Sequence, residues 1–335
     1  MLTFDLLLTA DMMVPNPDGM ANLLWEKLGV HQHPRWRQAF EEQPYIAHFL
    51  RVNKSLALAP TRIEPQVHLD KPNLGDPQFH DYLESLKTFQ GRHRPMITHS
   101  VVLATSLDKE EALIERLLSR GVPFRIAQRA PDLPWDRVWL GCTPENPVYE
   151  PSADGGLCLE IMPIEPLQLP PETFASPPPE PANPTLGDMI RVTARGILVR
   201  NLDDTLRKLS DNLDWEPQGP VRHIAAEGCR RARMPFSLAH SATLDLIQPT
   251  RWNSHAGLYL LNWGPGLYYI RVSVAGLEAK ADDLRARGVR FDWVEAPEAI
   301  GGRPLIRVDP AELNGQLFEF EEHQPAADAI ASSTD

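Results

Sequence analysis

A chain of 335 residues is longer than one hydrophobic core usually organises, so about two domains are expected. Its net charge of -12 excludes a general nucleic-acid binder, which needs a basic face against phosphates, and a polybasic membrane anchor. Three widely spaced cysteines, Cys142, Cys158 and Cys229, make neither a disulfide framework nor a CxxC zinc pattern, which fits a reducing, cytoplasmic setting.

The N-terminal apolar run, Met1 to Asp11, has no basic leader and is broken by Asp5 and Asp11. Nowhere does the chain approach the roughly 20 apolar residues of a membrane span. Leu2 to Met13 reads as a strand, followed by a helix capped by Asp18 and stopped by Gly29. Residues 31–45 are polar and proline-spaced, hence a loop. Strands are expected at Tyr45–Val52, Ser55–Ala59 and Arg62–Leu69. The long connection 69–95 carries a helix at Phe79–Phe89. Met96 to Ala104 is a strand, and Asp108 to Arg120 a helix with Leu113, Ile114, Leu117 and Leu118 in its apolar stripe. Gly121 stops it before Val122–Ile126; Arg137–Cys142 and Gly156–Met162 are strand-like.

Pro163 to Pro184 holds nine prolines, which cannot donate to a ladder, so this is the linker. Residues 188–200 are a strand and Asp203–Leu213 a helix. Arg222–Ala226, Ala232–Ser237 and Ala242–Gln248 are strands, and apolar Gly257–Trp263 is expected to pair with them. Gly266 to Trp293 then repeats the strand, helix, strand of residues 96–126: Leu117-Leu-Ser-Arg-Gly-Val-Pro-Phe124 and Leu284-Arg-Ala-Arg-Gly-Val-Arg-Phe291 are near copies. Leu305–Val308 and Gln316–Glu321 close the fold, and 324–335 is a disordered tail.

Four units of one helix and several strands emerge, starting near residues 2, 96, 190 and 267. Strands that follow one another without further helices exclude a doubly wound sheet. Neither a GxGxxG nor a GxxxxGK[ST] follows a strand, so no nucleotide cofactor is expected. Each unit ends on an acid between non-polar residues: Ile63-Glu64-Pro65, Leu159-Glu160-Ile161, Leu244-Asp245-Leu246 and Phe318-Glu319-Phe320. Side chains alternate along a strand, so the four acids face away from the helix layer. One such acid is explained as a solvated residue; four at matched places point to a shared concave surface. His99 falls at the first strand of the second unit.

His99-Ser-Val-Val-Leu-Ala-Thr-Ser-Leu-Asp108, Gly196-Ile-Leu-Val-Arg-Asn-Leu-Asp203 and the closing strands Gly155–Pro163, Leu244–Pro249 and Gly315–Phe320 resemble the vicinal oxygen chelate superfamily. That group includes glyoxalase I, bleomycin-resistance proteins, methylmalonyl-CoA epimerase and extradiol dioxygenases. The resemblance implies an α+β fold of four βαβββ units, paired into two glyoxalase/dioxygenase-like curved mixed-sheet cups. The halves would be 1–165 and 187–323, joined by 166–186, with 324–335 as the tail.

It also implies metal positions. His99 and Glu160 match in the second unit, and His68 or Glu64 would complete the set from the first. In the C-terminal half Glu319 and Asp245 match the glutamate position, while Tyr269 and Ala194 stand at the histidine position. An N-terminal site would suit Fe, Mn, Zn or Ni and act on a small molecule with vicinal oxygens, as a dioxygenase, isomerase or lyase. The alternative is a metal-free binding protein of the bleomycin-resistance kind, using Tyr269, Glu319, Asp245 and Trp263 with the neighbouring aromatics. Either reading takes a small-molecule ligand, with no nucleic-acid or membrane partner and a monomer or homodimer.

Overall fold

The computed structural model describes residues 4–32, 37–39, 45–55, 57–69, 77–90, 100–127, 136–294 and 302–325. The first unit comprises β1 (Leu6–Leu7), β2 (Thr9–Met13), α1 (Pro17–Leu28), β3 (Arg37–Ala39), β4 (Tyr45–His48) and β5 (Arg62–His68). After α2 (Pro77–Gln90), the second has β6 (Val101–Thr105), α3 (Leu107–Arg120), β7 (Phe124–Ala127), β8 (Arg137–Leu140) and β9 (Leu159–Pro163). The third has β10 (Met189–Leu198), α4 (Leu202–Leu213), β11 (Arg222–Ile224), β12 (Cys229–Met234) and β13 (Thr243–Pro249). Helix α5 (His255–Trp263) precedes the fourth: β14 (Gly266–Val274), α6 (Leu277–Ala286), β15 (Phe291–Val294), β16 (Leu305–Val308) and β17 (Leu317–Glu322).

The same strand order recurs four times: β2-β5-β4-β3, β6-β9-β8-β7, β10-β13-β12-β11 and β14-β17-β16-β15. In each unit the first strand lies parallel to the last, and the remaining pairs are antiparallel. The expected α+β architecture of curved βαβββ units is therefore present. The repeat is locally encoded. Asn16 and Asn201 cap α1 and α4 through Gly19 N and Asp204 N, and Gly29 and Gly121 take left-handed conformations that end α1 and α3.

Several local expectations change. Asn16, not Asp18, caps α1; Asp18 lies in its first turn, where it binds Arg37 and His48. The expected strand at Ser55–Ala59 is a turn, in which Asn53 Oδ1 accepts from Ser55 N and Ser55 O from Ala59 N. Gly257–Trp263 is helical, and Ser254 caps the helix by accepting from Gly257 N. The polar stretch 31–45 contains β3. Residues 96–99 and the tail beyond Pro325 lie outside the described residues.

The two C-terminal units join through an antiparallel β10–β14 ladder into one eight-stranded sheet. The N-terminal counterpart is split. Among the described residues β1 pairs with β6, but β2 pairs with β5 and leaves a seam beside β6. The fully buried Arg195 of β10 crosses into that seam. Its guanidinium donates to Thr9 O, Asp11 O and Ser100 O at 3.3–3.4 Å and meets the Asp11 carboxylate at 2.7 Å. A cation from the C-terminal half thus replaces the missing ladder of the N-terminal one.

The helix-bearing faces of the two sheets pack against each other through one continuous core that includes Leu24, Leu117, Leu209, Leu284 and Phe320. Phe4 meets Trp215 edge-on at 4.8 Å. Lys280 Nζ donates to Leu28 O and Arg287 to Trp25 O and Glu26 O, so a cation of α6 and the one that caps its C-terminus satisfy the last carbonyls of α1. The inner faces consequently point outward on opposite sides. Among the described residues no helix is long and apolar enough to cross a membrane.

Candidate functional site

Register identifies the equivalent positions on the four inner faces. Glu64 stands opposite Asp11, Glu160 opposite Val102, Asp245 opposite Gly196 and Glu319 opposite Arg271. Two residues earlier on each first strand are Thr9, Ser100, Ala194 and Tyr269. Tyr269 and Ala194 are thus equivalent, as the sequence suggested. In the second unit that position belongs to Ser100, the neighbour of His99; His99 itself lies outside the described residues.

The N-terminal inner face is covered by α2. Tyr82, Leu83 and Leu86 pack with Ala47, Trp139, Tyr149 and Cys158, and Tyr82 stacks on Trp139 at 5.2 Å with rings 6° from parallel. Glu160 is buried, accepting from Ser100 Oγ at 3.3 Å and from Arg137 at 3.4 Å. Glu64 is buried on β5, and His68 is half-buried at the strand's end. A rise of about 3.3 Å per residue separates these last two by roughly 13 Å, so one ion would use one or the other. Among the described residues no group of three His, Cys, Asp or Glu side chains is placed to hold a metal ion.

The C-terminal inner face is charged throughout. Glu319 is fully buried between two arginines. Arg271 Nε and a terminal nitrogen donate to its Oε2 at 3.1 and 2.7 Å, and Arg307 donates to Oε1 at 2.9 and 2.7 Å. Asp245, also fully buried, accepts from Tyr269 Oη at 2.5 Å and Arg233 Nε at 3.1 Å, with Arg231 at 3.9 Å. Burial opposes ionisation of both acids. The arginines outweigh it, holding each carboxyl at about 2. The Tyr269 ring lies under the guanidinium carbons of Arg271 at 4.8 Å and Arg231 at 5.7 Å. Gly196 makes room for it: a Cβ there would stand 2.5 Å from Tyr269 Cε1.

A β-bulge lies beside this cluster. Gly196 pairs with Tyr269 but Ile197 with Leu267, leaving Tyr268 as the extra residue. Alternation fails there, so both tyrosines belong to the inner-face cluster. Tyr268 Oη lies 2.6 Å from His255 Nδ1 at the start of α5. Burial raises the Tyr268 phenol, while burial and the Arg307 charge lower His255. These two residues open onto a cavity of about 740 Å³, whose lining includes His223, Glu227, Arg251 and Arg307.

The structure brings Tyr269, Asp245 and Glu319 into one buried charged cluster with their oxygens already engaged, joined to the cavity through Arg307; none of the three lines the cavity itself. Trp263 ends α5 and does not line the cavity. The missed residues are Arg231, Arg233, Arg271 and Arg307. Their signal was available: Ile306-Arg307-Val308 and Ile270-Arg271-Val272 are charges between apolar neighbours, the same pattern that singled out the acids. Tyr268 was among the aromatics expected near this half, whereas Glu227 and His255 had no comparable signal, because a turn and a helix start place them.

No protein-family model and no curated protein matches the chain. Among solved structures, a hypothetical protein BH1468 from Bacillus halodurans C-125 is 20% identical over 40% of this chain and 94% of its own, with a TM-score of 0.35. A Streptomyces coelicolor methylmalonyl-CoA epimerase variant in complex with 2-nitronate-propionyl-CoA is 27% identical over 39% and 96%, also at 0.35. The Mycobacterium tuberculosis methylmalonyl-CoA epimerase is 24% identical over 45% and 97%, at 0.37. The fold assignment rests instead on this chain's own strand order and register.

Proposed function

We propose that this chain binds a small organic anion in the cavity of its C-terminal half, with arginine supplying the positive charge that a metal ion supplies elsewhere in this fold. One observation carries the reading: Glu319, at the metal-ligand position, has both oxygens clasped by Arg271 and Arg307. A carboxylate so engaged directs its lone pairs at the two guanidiniums rather than at a metal ion. Arg307, 23% exposed at its side chain, reaches from that clasp to the cavity wall. There it meets the His255–Tyr268 pair, which supplies a directional polar contact beside apolar Ile224 and Val294. The test is calorimetric titration of malonate into the protein with and without EDTA. Binding that survives the chelator supports the reading; binding that vanishes with it counts against arginine as the anchor.

A second reading places a divalent metal in the N-terminal half, held by Glu160 and His99 with Glu64 or His68. It is favoured by the longer contacts of Glu160, 3.3 and 3.4 Å against 2.7–3.1 Å for Glu319. A metal there would supply Lewis acidity toward a ligand with neighbouring oxygens, for dioxygenase, isomerase or lyase chemistry. Elemental analysis of protein purified without chelator, beside Glu160→Ala, tests it: equal metal content in both proteins removes Glu160 from any site.

A further inference from the structure

Resting on the anion-binding reading, we infer that Glu227 is a tethered stand-in for the ligand, and that the ligand is an organic carboxylate whose carboxylate group takes the place of Glu227 against Arg231 and Arg307. Glu227 projects from the turn Ala225–Gly228 between β11 and β12 and lines the cavity. Its Oε2 accepts from Arg231 at 2.9 Å, and its Oε1 lies 3.6 Å from Arg307. Arg231 is otherwise directed at Asp245, and Arg307 at Glu319. The Glu227 carboxylate thus completes a charge set of Arg231, Arg233, Arg271 and Arg307 with Asp245 and Glu319.

Glu227 differs from Asp245 and Glu319 in ways that make it displaceable. Asp245 and Glu319 are fully buried within strands, whereas the Glu227 side chain is 20% exposed on a turn. Its contact to Arg307 is 0.9 Å longer than that of Glu319, 3.6 against 2.7 Å. The backbone beneath it is fixed independently: Arg251 donates to Ala225 O and Ala226 O, and Gly228 O accepts from Thr250 N. The side chain can therefore leave without unravelling the turn. Once it leaves, four arginines face two carboxylates, and the vacated place has the planar two-oxygen geometry of a carboxylate. The remainder of the ligand would extend toward His223, Tyr268 and Val294.

The experiment is calorimetric titration of malonate, acetate and inorganic phosphate into the full chain, as wild type, Glu227→Gln and Glu227→Asp. An internal competitor lowers apparent affinity by the fraction of time it occupies the site, so occupancy near nine-tenths hides about tenfold. Glu227→Gln is expected to bind malonate and acetate about tenfold tighter than wild type, with phosphate changed less than about twofold. Glu227→Asp, too short to reach Arg307, should gain an intermediate factor; it carries the test should the glutamine variant not fold. Wild type that binds malonate while neither variant gains would overturn the displacement and leave the arginine cup standing. Absence of binding by all three proteins would overturn the cup itself. An equal gain for phosphate would overturn the carboxylate assignment.

Discussion

Replacing Glu319 with glutamine separates a structural clasp from a metal ligand. Glutamine keeps one acceptor oxygen and the shape but removes the charge between Arg271 and Arg307 and presents an amide N–H₂ to one of them. Two routes give the cost. Removing one partner of a buried ion pair typically destabilises by about 3–5 kcal/mol, because the cation stays buried and uncompensated. The carboxyl's fall from 4.5 to about 2 corresponds independently to about 3 kcal/mol of preference for the ionised form. Urea unfolding followed by circular dichroism should therefore show a loss of about 3 kcal/mol, and a melting temperature lower by roughly 6–12 °C. The loss should be the same with and without EDTA. A loss below about 1 kcal/mol, or one that appears only when metal is present in the wild-type sample, refutes the clasp.

Arg195→Met should cost about 3–5 kcal/mol in the same assay, and Arg195→Met with Asp11→Asn less than the sum of the single changes, since the pair spans one seam; strict additivity would show that the two do not interact. Gly196→Ala drives a methyl into the Tyr269 ring and should cost about 1–3 kcal/mol; near-ultraviolet circular dichroism should report the displaced tyrosine, and an unchanged spectrum would contradict the close approach. Acid lability follows from groups whose folded values lie below their unfolded ones. Asp245 and Glu319, each at about 2, contribute fully above about pH 5 and lose that contribution as pH falls through 2. His240, fully buried and lowered to about 4 by burial and by Arg191, adds stability that is complete above its unfolded value of about 6.5 and declines toward pH 4. Denaturant midpoints from pH 7 to 3 should fall in two stages, with His240→Gln flattening only the upper one.

The local rules that located the units were strong because they need few neighbours. An asparagine cap, a left-handed glycine and an apolar stripe act within one helix. Alternation within a strand assigns an acid to a face. On those terms the repeat, the four acids and their inner-face placement were legible from the residues; that they divide between two faces on opposite sides was not. What alternation cannot supply is a partner, since that depends on register between strands far apart in sequence. Arg271 and Glu319 are neighbours because β14 and β17 lie parallel, and Arg307 joins them from β16. The bulge that turns Tyr268 inward beside Tyr269 arises from a mismatch between β10 and β14 and breaks the very alternation a sequence reading uses. Arg195 needed one step more: its partners belong to the other half, and only back-to-back packing of the sheets brings them to it. The chain alone determined that charges would line a curved sheet. Tertiary structure decided which charges neutralise one another, because a buried ion finds its partner through space rather than along the backbone.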